Sequence, residues 1–423
     1  MRSIFSLLVL VAPLFGAEPK RTDAPPPPEG FPKFEVQEIE TGLKIGYAVI
    51  ATDLDGDKKL DIVVLDQHKV AWYQNPGWKK RVLLDGKTKA DNVCIAAADL
   101  TGDGLPELIV GAGWKPFDTK TPGTLQWLKR GKTLDDEWSL HAIPCDEPTV
   151  HRIRIADLDL DGKPELILAP LMGREATKEK NWTDGRPVRI LQYPLPKEPE
   201  KAENWVPSVL SEDLHVVHNF DIGPEGGYAR KGRPLIVGSY EGLNIVYPEG
   251  QGTKWTTLTM HEANQADPKG SRGVSEVKAS EKSAALYATV EPWHGNQIVA
   301  YTPKRRPDPE KAFNLERTVI DDQLRWGHAI QFADVDGDGS EEIIASVRDN
   351  PDPKQGDKFT EKRGVRIYRF EAKSKSWNRY VLEDGGVAVE DLAVADLDAD
   401  GKPDIIAVGR ATGNCRIYWN KGK

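Results

Sequence analysis

FADVDGDGSEEIIASV, residues 332–347, places carboxylates at positions 1, 3, 5 and 9 of a short loop: Asp334, Asp336, Asp338 and Glu342. A hard cation such as Ca²⁺ takes roughly six to eight oxygen ligands, and short acidic side chains alternating along a tight loop supply them. Gly339, at position 6, permits the bend that other residues resist. This is not an EF-hand, because the position-9 carboxylate comes too early. The following EEIIASV reads as a strand rather than a helix.

The pattern recurs four more times. Asp53, Asp55, Asp57 and Asp61 precede IVVL; Asp99, Thr101, Asp103 and Glu107 precede LIVG. Asp157, Asp159, Asp161 and Glu165 precede LILA, and Asp396, Asp398, Asp400 and Asp404 precede IIAV. Five loops with strand flanks at intervals of tens of residues mark a repeat architecture, with about five structural Ca²⁺ sites as its expected cofactors.

The interval between Asp157 and Asp334 leaves room for two further units that have lost their acids. Residues Val216 to Gly250 and Gly273 to Pro303 fit, with Pro224 and Ser280 at the position of the first Asp. Seven units of this size suit a single seven-bladed β-propeller, all-β, with four strands per blade. Strand A precedes the acidic loop and strand B follows it. Strand C carries aromatics (VAWYQNP, TLQWLKR, CRIYWNKG), so Trp72, Trp127 and Trp419 are expected to be packing residues. The seventh blade stops after strand C, and an unclaimed strand from Phe34 to Glu40 opens the chain. Pairing the two would close the ring and remove an exposed edge.

Composition adds limits. The chain has 423 residues and a net charge of −9, with no basic stripe of the kind nucleic acid requires. Met1-Arg2, the apolar run from Ile4 to Phe15 and Gly16-Ala17 read as an export signal over residues 1–17, too short to span a bilayer. A secreted or periplasmic location follows as the expectation. Residues 18–30 include four consecutive prolines and read as a stiff exposed tether, leaving 31–423 for the propeller. Three cysteines, Cys94, Cys145 and Cys415, are too few for a disulfide framework and are expected to be small buried groups. Oligomeric state is not legible.

Six residues before each first Asp, at the start of strand A, stand Tyr47, Val93, His151, His218, Val274, His328 and Glu390. Strand A is innermost, so these residues ring one mouth of the central channel. The loops between strands B and C open on the same face and offer His68, Trp114, Arg174, Tyr240, Glu291, His294 with Trp293 before it, Arg348 and Arg410. The acidic loops lie on the opposite face.

From about Phe31 onward the chain resembles the FG-GAP/VCBS repeat family, seven-bladed propellers with calcium-type loops. More narrowly, the strand-A histidines with Glu291-Pro-Trp-His294-Gly-Asn resemble the propeller domain of fungal aldos-2-ulose dehydratase and its bacterial relatives. That resemblance implies loss of water from a keto-sugar such as 1,5-anhydrofructose at a metal-assisted site in the propeller. The fungal enzyme also carries cupin domains for isomerisation; this chain ends at Lys423 without them, so isomerase activity is not expected.

Converging neutral imidazoles and a carboxylate can hold Zn²⁺, Mn²⁺ or Mg²⁺, which polarises a carbonyl and acidifies the adjacent carbon. His151, His218 and His328 with Glu390 are therefore candidate ligands or base, His294 is a candidate proton carrier, and Tyr47 belongs to the same ring. Trp114 and Trp293 would stack on sugar faces; Arg174, Tyr240, Glu291, Arg348 and Arg410 would hold polar groups of the substrate. The expected function is a metal-assisted carbohydrate lyase or dehydratase performing β-elimination. The alternatives are a non-catalytic calcium-stabilised module binding glycan or protein, and a lyase acting on uronic acids.

Overall fold

The computed structural model describes residues 19–225, 232–249, 254–266, 272–283, 285–305, 307–308, 312–350 and 362–423. The expected export signal, residues 1–17, lies outside the described residues. Six four-stranded antiparallel sheets and one five-stranded sheet make a seven-bladed propeller. The innermost strands are Ala48–Thr52, Asn92–Ala98, Val150–Ala156, Asn219–Ile222, Val277–Ala279, Gly327–Ala333 and Val389–Ala395. The two units inferred without acidic loops are the fourth and fifth blades, beginning at Asn219 and Val277.

Each strand after an acidic loop, such as Asp61–Leu65 or Glu165–Pro170, is buried along its whole length. It lies second from the centre and meets a neighbouring blade on both faces, so its sequence is a continuous apolar run rather than an alternating one. Sheet faces pack by interdigitating apolar side chains, and here they do so once per blade boundary. One cluster joins blades 1 and 2 through Trp72 and Trp138, the next joins blades 2 and 3 through Trp127, Tyr193 and Trp205, and so on round the ring to Trp78 and Trp419 between blades 7 and 1. Trp72, Trp127 and Trp419 are packing residues, as their strand-C positions imply. Cys94 and Cys415 are buried free thiols, while Cys145 is only partly covered.

The ring closes through its ends. Lys33–Glu40 pairs antiparallel with Cys415–Gly422, with Phe34 opposite Asn420 and Val36 opposite Tyr418. The proline-rich stretch before it is not a free tether. Arg21–Asp23 adds a fifth strand outside Lys33–Glu40, the Arg21 guanidinium lies 3.9 Å over the Trp419 ring, and the Tyr380 hydroxyl donates to the Pro25 carbonyl. Extended proline-rich backbone exposes unpaired carbonyls, and here neighbouring groups use them.

Candidate metal-binding pocket at the channel mouth

Strand A carries two inward residues where an ideal strand would carry one. Its pairing with strand B slips between Val150 and Arg152, between Gly327 and Ile330, and between Val389 and Asp391. A bulge of this kind re-aims a side chain. His151 and Arg152 thus both reach the channel, as do Glu390 and Asp391.

His294 arrives from the loop between strands B and C of blade 5. Its backbone is left-handed, with φ 49°, a conformation that costs energy in a non-glycine residue and is retained where the surroundings fix it. At Gly295 a Cβ would meet the Glu291 carbonyl at 2.0 Å, so the turn admits only glycine. The Gly295 carbonyl accepts the Gly327 N–H at 2.9 Å, which ties this turn to the residue before His328.

The result is a pocket of about 300 Å³ lined by His151, His218, His294 and His328, with Arg152, Arg348, Glu390, Arg410 and an aromatic wall of Trp114, Phe117 and Trp293. His218, His294 and His328 each offer a ring nitrogen, and these nitrogens lie within 4.8 Å of one another. The His218 and His294 Nε2 atoms are 2.8 Å apart. The His328 Nδ1 is 2.6 Å from the Glu390 carbonyl oxygen. His151 meets the His218 ring edge-on at 4.7 Å and stacks on Trp114 at 4.8 Å, with its Nδ1 buried and unpaired, but its nitrogens are not among the three that converge. All four imidazoles are pushed well below the ordinary histidine range, first by burial and then by nearby arginines or each other. They are therefore neutral at physiological pH, the form that ligates metals. Arg410 donates to Glu390 Oε1 at 2.7 Å, while Glu390 Oε2 is buried without a hydrogen-bond partner and lies 3.6 Å from Arg348 Nη1. This nitrogen trio with a free carboxylate oxygen beside it fits a divalent cation.

Four of the sequence candidates do not line this pocket. Glu291 is fully buried in its own blade, where Thr289, Tyr301 and both Nε and Nη2 of Arg317 donate to it. It closes strand Tyr287–Glu291 and pairs with Gln297 rather than standing in the loop that follows, so its carboxylate stays within the blade. Arg174 pairs with Asp146 at 3.2 Å and donates to the Lys120 carbonyl, outside the pocket. Tyr240 packs under the Arg272 guanidinium at 4.4 Å. Tyr47 stands behind the wall; its hydroxyl donates to Asp91 Oδ2 at 2.7 Å and its ring lies under Arg410. The sequence reading missed Glu276, whose Oε1 is 2.8 Å from His218 Nδ1, and Arg152, 3.7 Å from the same oxygen. It also passed over Phe117, which stacks on Trp182 at 5.6 Å.

On the opposite face, the five acidic loops repeat one set of bonds. The position-1 carboxylate accepts the position-6 N–H, from Lys58, Gly104, Gly162, Gly339 and Gly401, at 2.8–3.0 Å. The position-9 carboxylate accepts the N–H of position 2, from Leu54, Leu100, Leu158, Val335 and Leu397, at 2.9–3.0 Å. In four loops three carboxylates bring oxygens within 4.8 Å of one another; the Asp99 loop, with Thr101 at position 3, is not among them. Burial, reinforced by the neighbouring aspartates, pushes Asp61 up to about 6, Glu165 and Asp404 to about 7 and Glu342 to about 8. An all-oxygen donor set so crowded that its acids resist ionisation fits a hard cation. In blade 6, side chains already supply positive charge. Lys282 lies 2.7 Å from Asp334, Lys423 2.9 Å from Asp336, and Arg369 bridges Asp336 and Asp338.

Residues 122–304 match the family model described as aldos-2-ulose dehydratase, beta-propeller domain, and residues 53–110 match the FG-GAP-like repeat. Both resemblances carried by the sequence motifs are thereby borne out. The first match includes His151, His218, Glu276 and His294. No curated protein matches the chain. Among solved structures, BBS1N in complex with ARL6DN, in a mercury-soaked crystal, aligns over 96% of this chain and 98% of its own at 14% identity, with TM-score 0.52. YCF48 from Cyanidioschyzon merolae aligns over 91% and 98% at 10% identity, with TM-score 0.50. At such identities these likenesses establish the fold alone.

Proposed function

We propose that this propeller is a metal-assisted carbohydrate lyase of the dehydratase type, removing water from a keto-sugar in the histidine pocket. The observation that carries the proposal is the convergence of His218, His294 and His328 within 4.8 Å inside an aromatic-walled pocket. The family model matched by residues 122–304 bears the name of a dehydratase acting on a ketoaldose, which supports the same substrate class.

A Zn²⁺, Mn²⁺ or Mg²⁺ ion held by the three imidazoles would supply Lewis-acid polarisation of the substrate carbonyl. The chain's own residues supply the rest. Trp114 and Trp293 offer faces for a pyranose ring and keep water from the site. His151, neutral and with Nδ1 unpaired, is the group available to take a proton from the carbon beside the carbonyl. Glu390 Oε2 and Arg348 provide an acceptor and a donor for substrate hydroxyls, and Arg410 locks the Glu390 carboxylate from the other side. The acidic loops on the opposite face act as structural Ca²⁺ sites of roughly 10⁻⁴ to 10⁻³ M affinity, in keeping with the export expected from residues 1–17.

Elemental analysis after dialysis against calcium buffer tests the centre, followed by a screen of keto-sugars for the ultraviolet absorbance of an enone. One equivalent of divalent metal beyond calcium, lost in His328→Ala together with enone formation, is the expected result. Calcium alone with no enone from any keto-sugar would replace the lyase with the non-catalytic binding module that the FG-GAP match also accommodates.

A further inference from the structure

We propose that Glu276 is the positioning residue that fixes the His218 tautomer and thereby sets the cation affinity of the pocket, an inference that rests on reading the pocket as a metal centre. Glu276 immediately precedes the innermost strand of blade 5, Val277–Ala279, and is 2% exposed. Its Oε1 lies 2.8 Å from His218 Nδ1. The contact is not aligned as an ideal hydrogen bond, yet neither atom has any other hydrogen-bond partner. Its Oε2 accepts the Asn219 side-chain amide, and Arg152 Nη2 stands 3.7 Å from Oε1. Asn219 and Arg152 thus present donors to this carboxylate.

Burial pushes this carboxyl above its ordinary range, while Arg152, Asn219, Arg154 and Lys278 favour its ionised form; as a carboxylate it only accepts, which places the His218 proton on Nδ1 and the lone pair on Nε2. The same logic holds at His328, whose Nδ1 faces a backbone carbonyl at 2.6 Å and must donate to it. Two lone pairs are thereby turned towards His294, and His218 Nε2 meets His294 Nε2 at 2.8 Å. Two imidazole nitrogens that close either share a proton or converge on a cation, and a lone pair held on His218 Nε2 is what the second requires. A carboxylate behind a ligating imidazole fixes ring orientation and raises ligand basicity, and its loss typically costs about 10–100-fold in metal affinity.

Glu276→Gln is the informative change. The amide has one oxygen for two donors; if Asn219 claims it, the NH₂ faces His218 Nδ1 and drives the proton to Nε2, which blocks ligation. Two measurements on calcium-saturated protein stripped of other metals test this. One is zinc affinity by competition with a chromophoric chelator. The other is the ¹⁵N-histidine spectrum of the metal-free protein, with the His218 signal assigned by its loss in His218→Ala. The expected results are an Nδ1–H tautomer at His218 in the wild type, an Nε2–H tautomer in Glu276→Gln, and zinc binding weakened by about 10–100-fold with calcium content unchanged. Equal zinc affinity in wild type and Glu276→Gln, with both losing it in combination with His218→Ala, overturns the role of Glu276 alone. An Nε2–H tautomer in the wild type overturns it as well, whether or not the variant folds. A wild type that binds no zinc overturns the metal centre and this role with it.

Discussion

His151 differs from the other three histidines in one respect that assigns it a separate task. It stacks on Trp114, and its nitrogens lie outside the set that His218, His294 and His328 bring within 4.8 Å of one another. His151→Ala is therefore expected to retain the pocket metal but lower kcat by about 10²-fold or more, whereas His328→Ala loses both metal and activity. Metal content measured beside turnover separates the two; loss of metal in His151→Ala would return it to the ligand set. These histidines were legible because strand A has a fixed offset from the acidic loop. Glu276 was not, because blade 5 has lost its acids and its inward residues, Glu276 and Lys278, sit one place later relative to Ser280 than Arg152 and Arg154 do relative to Asp157. The inward alternation along strand A could have revealed it. Glu291 was misread for a different reason: it is the last residue of its strand, buried inside the blade, and the loop begins after it.

Single elements show what the repeat preserves. The acidic loop keeps its internal hydrogen bonds in all five copies, even where Lys58 takes the left-handed position that glycine fills elsewhere, with φ 69°. Blade 6 adds a cation from outside, since Lys282 reaches Asp334 from the degenerate loop of blade 5. Lys282→Met is expected to strengthen calcium binding at that loop alone, by up to about fivefold given the modest worth of a partly exposed ion pair. Calorimetric titration would show it as one tightened site; an unchanged isotherm would mean the lysine yields without cost. The packing strands behave as their pattern demands. Trp127 is fully buried and donates to the Pro199 carbonyl at 3.1 Å, so Trp127→Ala should cost about 3–5 kcal/mol in denaturant unfolding. A loss under about 1 kcal/mol would contradict its place between blades 2 and 3. Blades 4 and 5 were found from spacing and strand pattern alone, which survive because packing against both neighbours constrains them while the loops were free to change.

For the whole molecule, the acids and the histidines pull stability in opposite directions. Asp61, Glu165, Glu342 and Asp404 hold protons more tightly when folded than unfolded, so without a cation they lower stability as pH rises from about 4 to 8. The histidines bind protons less tightly when folded, so their contribution is lost as pH falls below about 6.5. Calcium removes the first effect by competing with the protons. Chelation is thus expected to lower Tm more at pH 8 than at pH 5.5. At about 10 mM calcium each site contributes about 1.4–2.7 kcal/mol. An equal drop at both values would mean that the loops do not hold the ion. Ring closure was legible because a blade lacked one strand and the chain began with one to spare; the docking of Arg21–Asp23 was not, since nothing in its polar sequence distinguishes a paired strand from a tether.

Closure also imposes an order in time. Lys33–Glu40 is made long before Cys415–Gly422, the strand that joins it to the seventh blade. At synthesis rates of about 5–20 residues per second the strand waits roughly 20–80 s with its edge open. Its four charges, Lys33, Glu35, Glu38 and Glu40, suit that wait, because a charged edge discourages pairing with strangers. Three of them gain partners in the finished ring, Glu35 from Arg21 at 3.9 Å. Glu38 accepts from Arg416 at 2.9 Å, and Glu40 takes the Tyr73 hydroxyl at 2.5 Å together with Lys80. Glu38, which guards the strand while that edge is open, becomes a fastening to Arg416 once Cys415–Gly422 arrives.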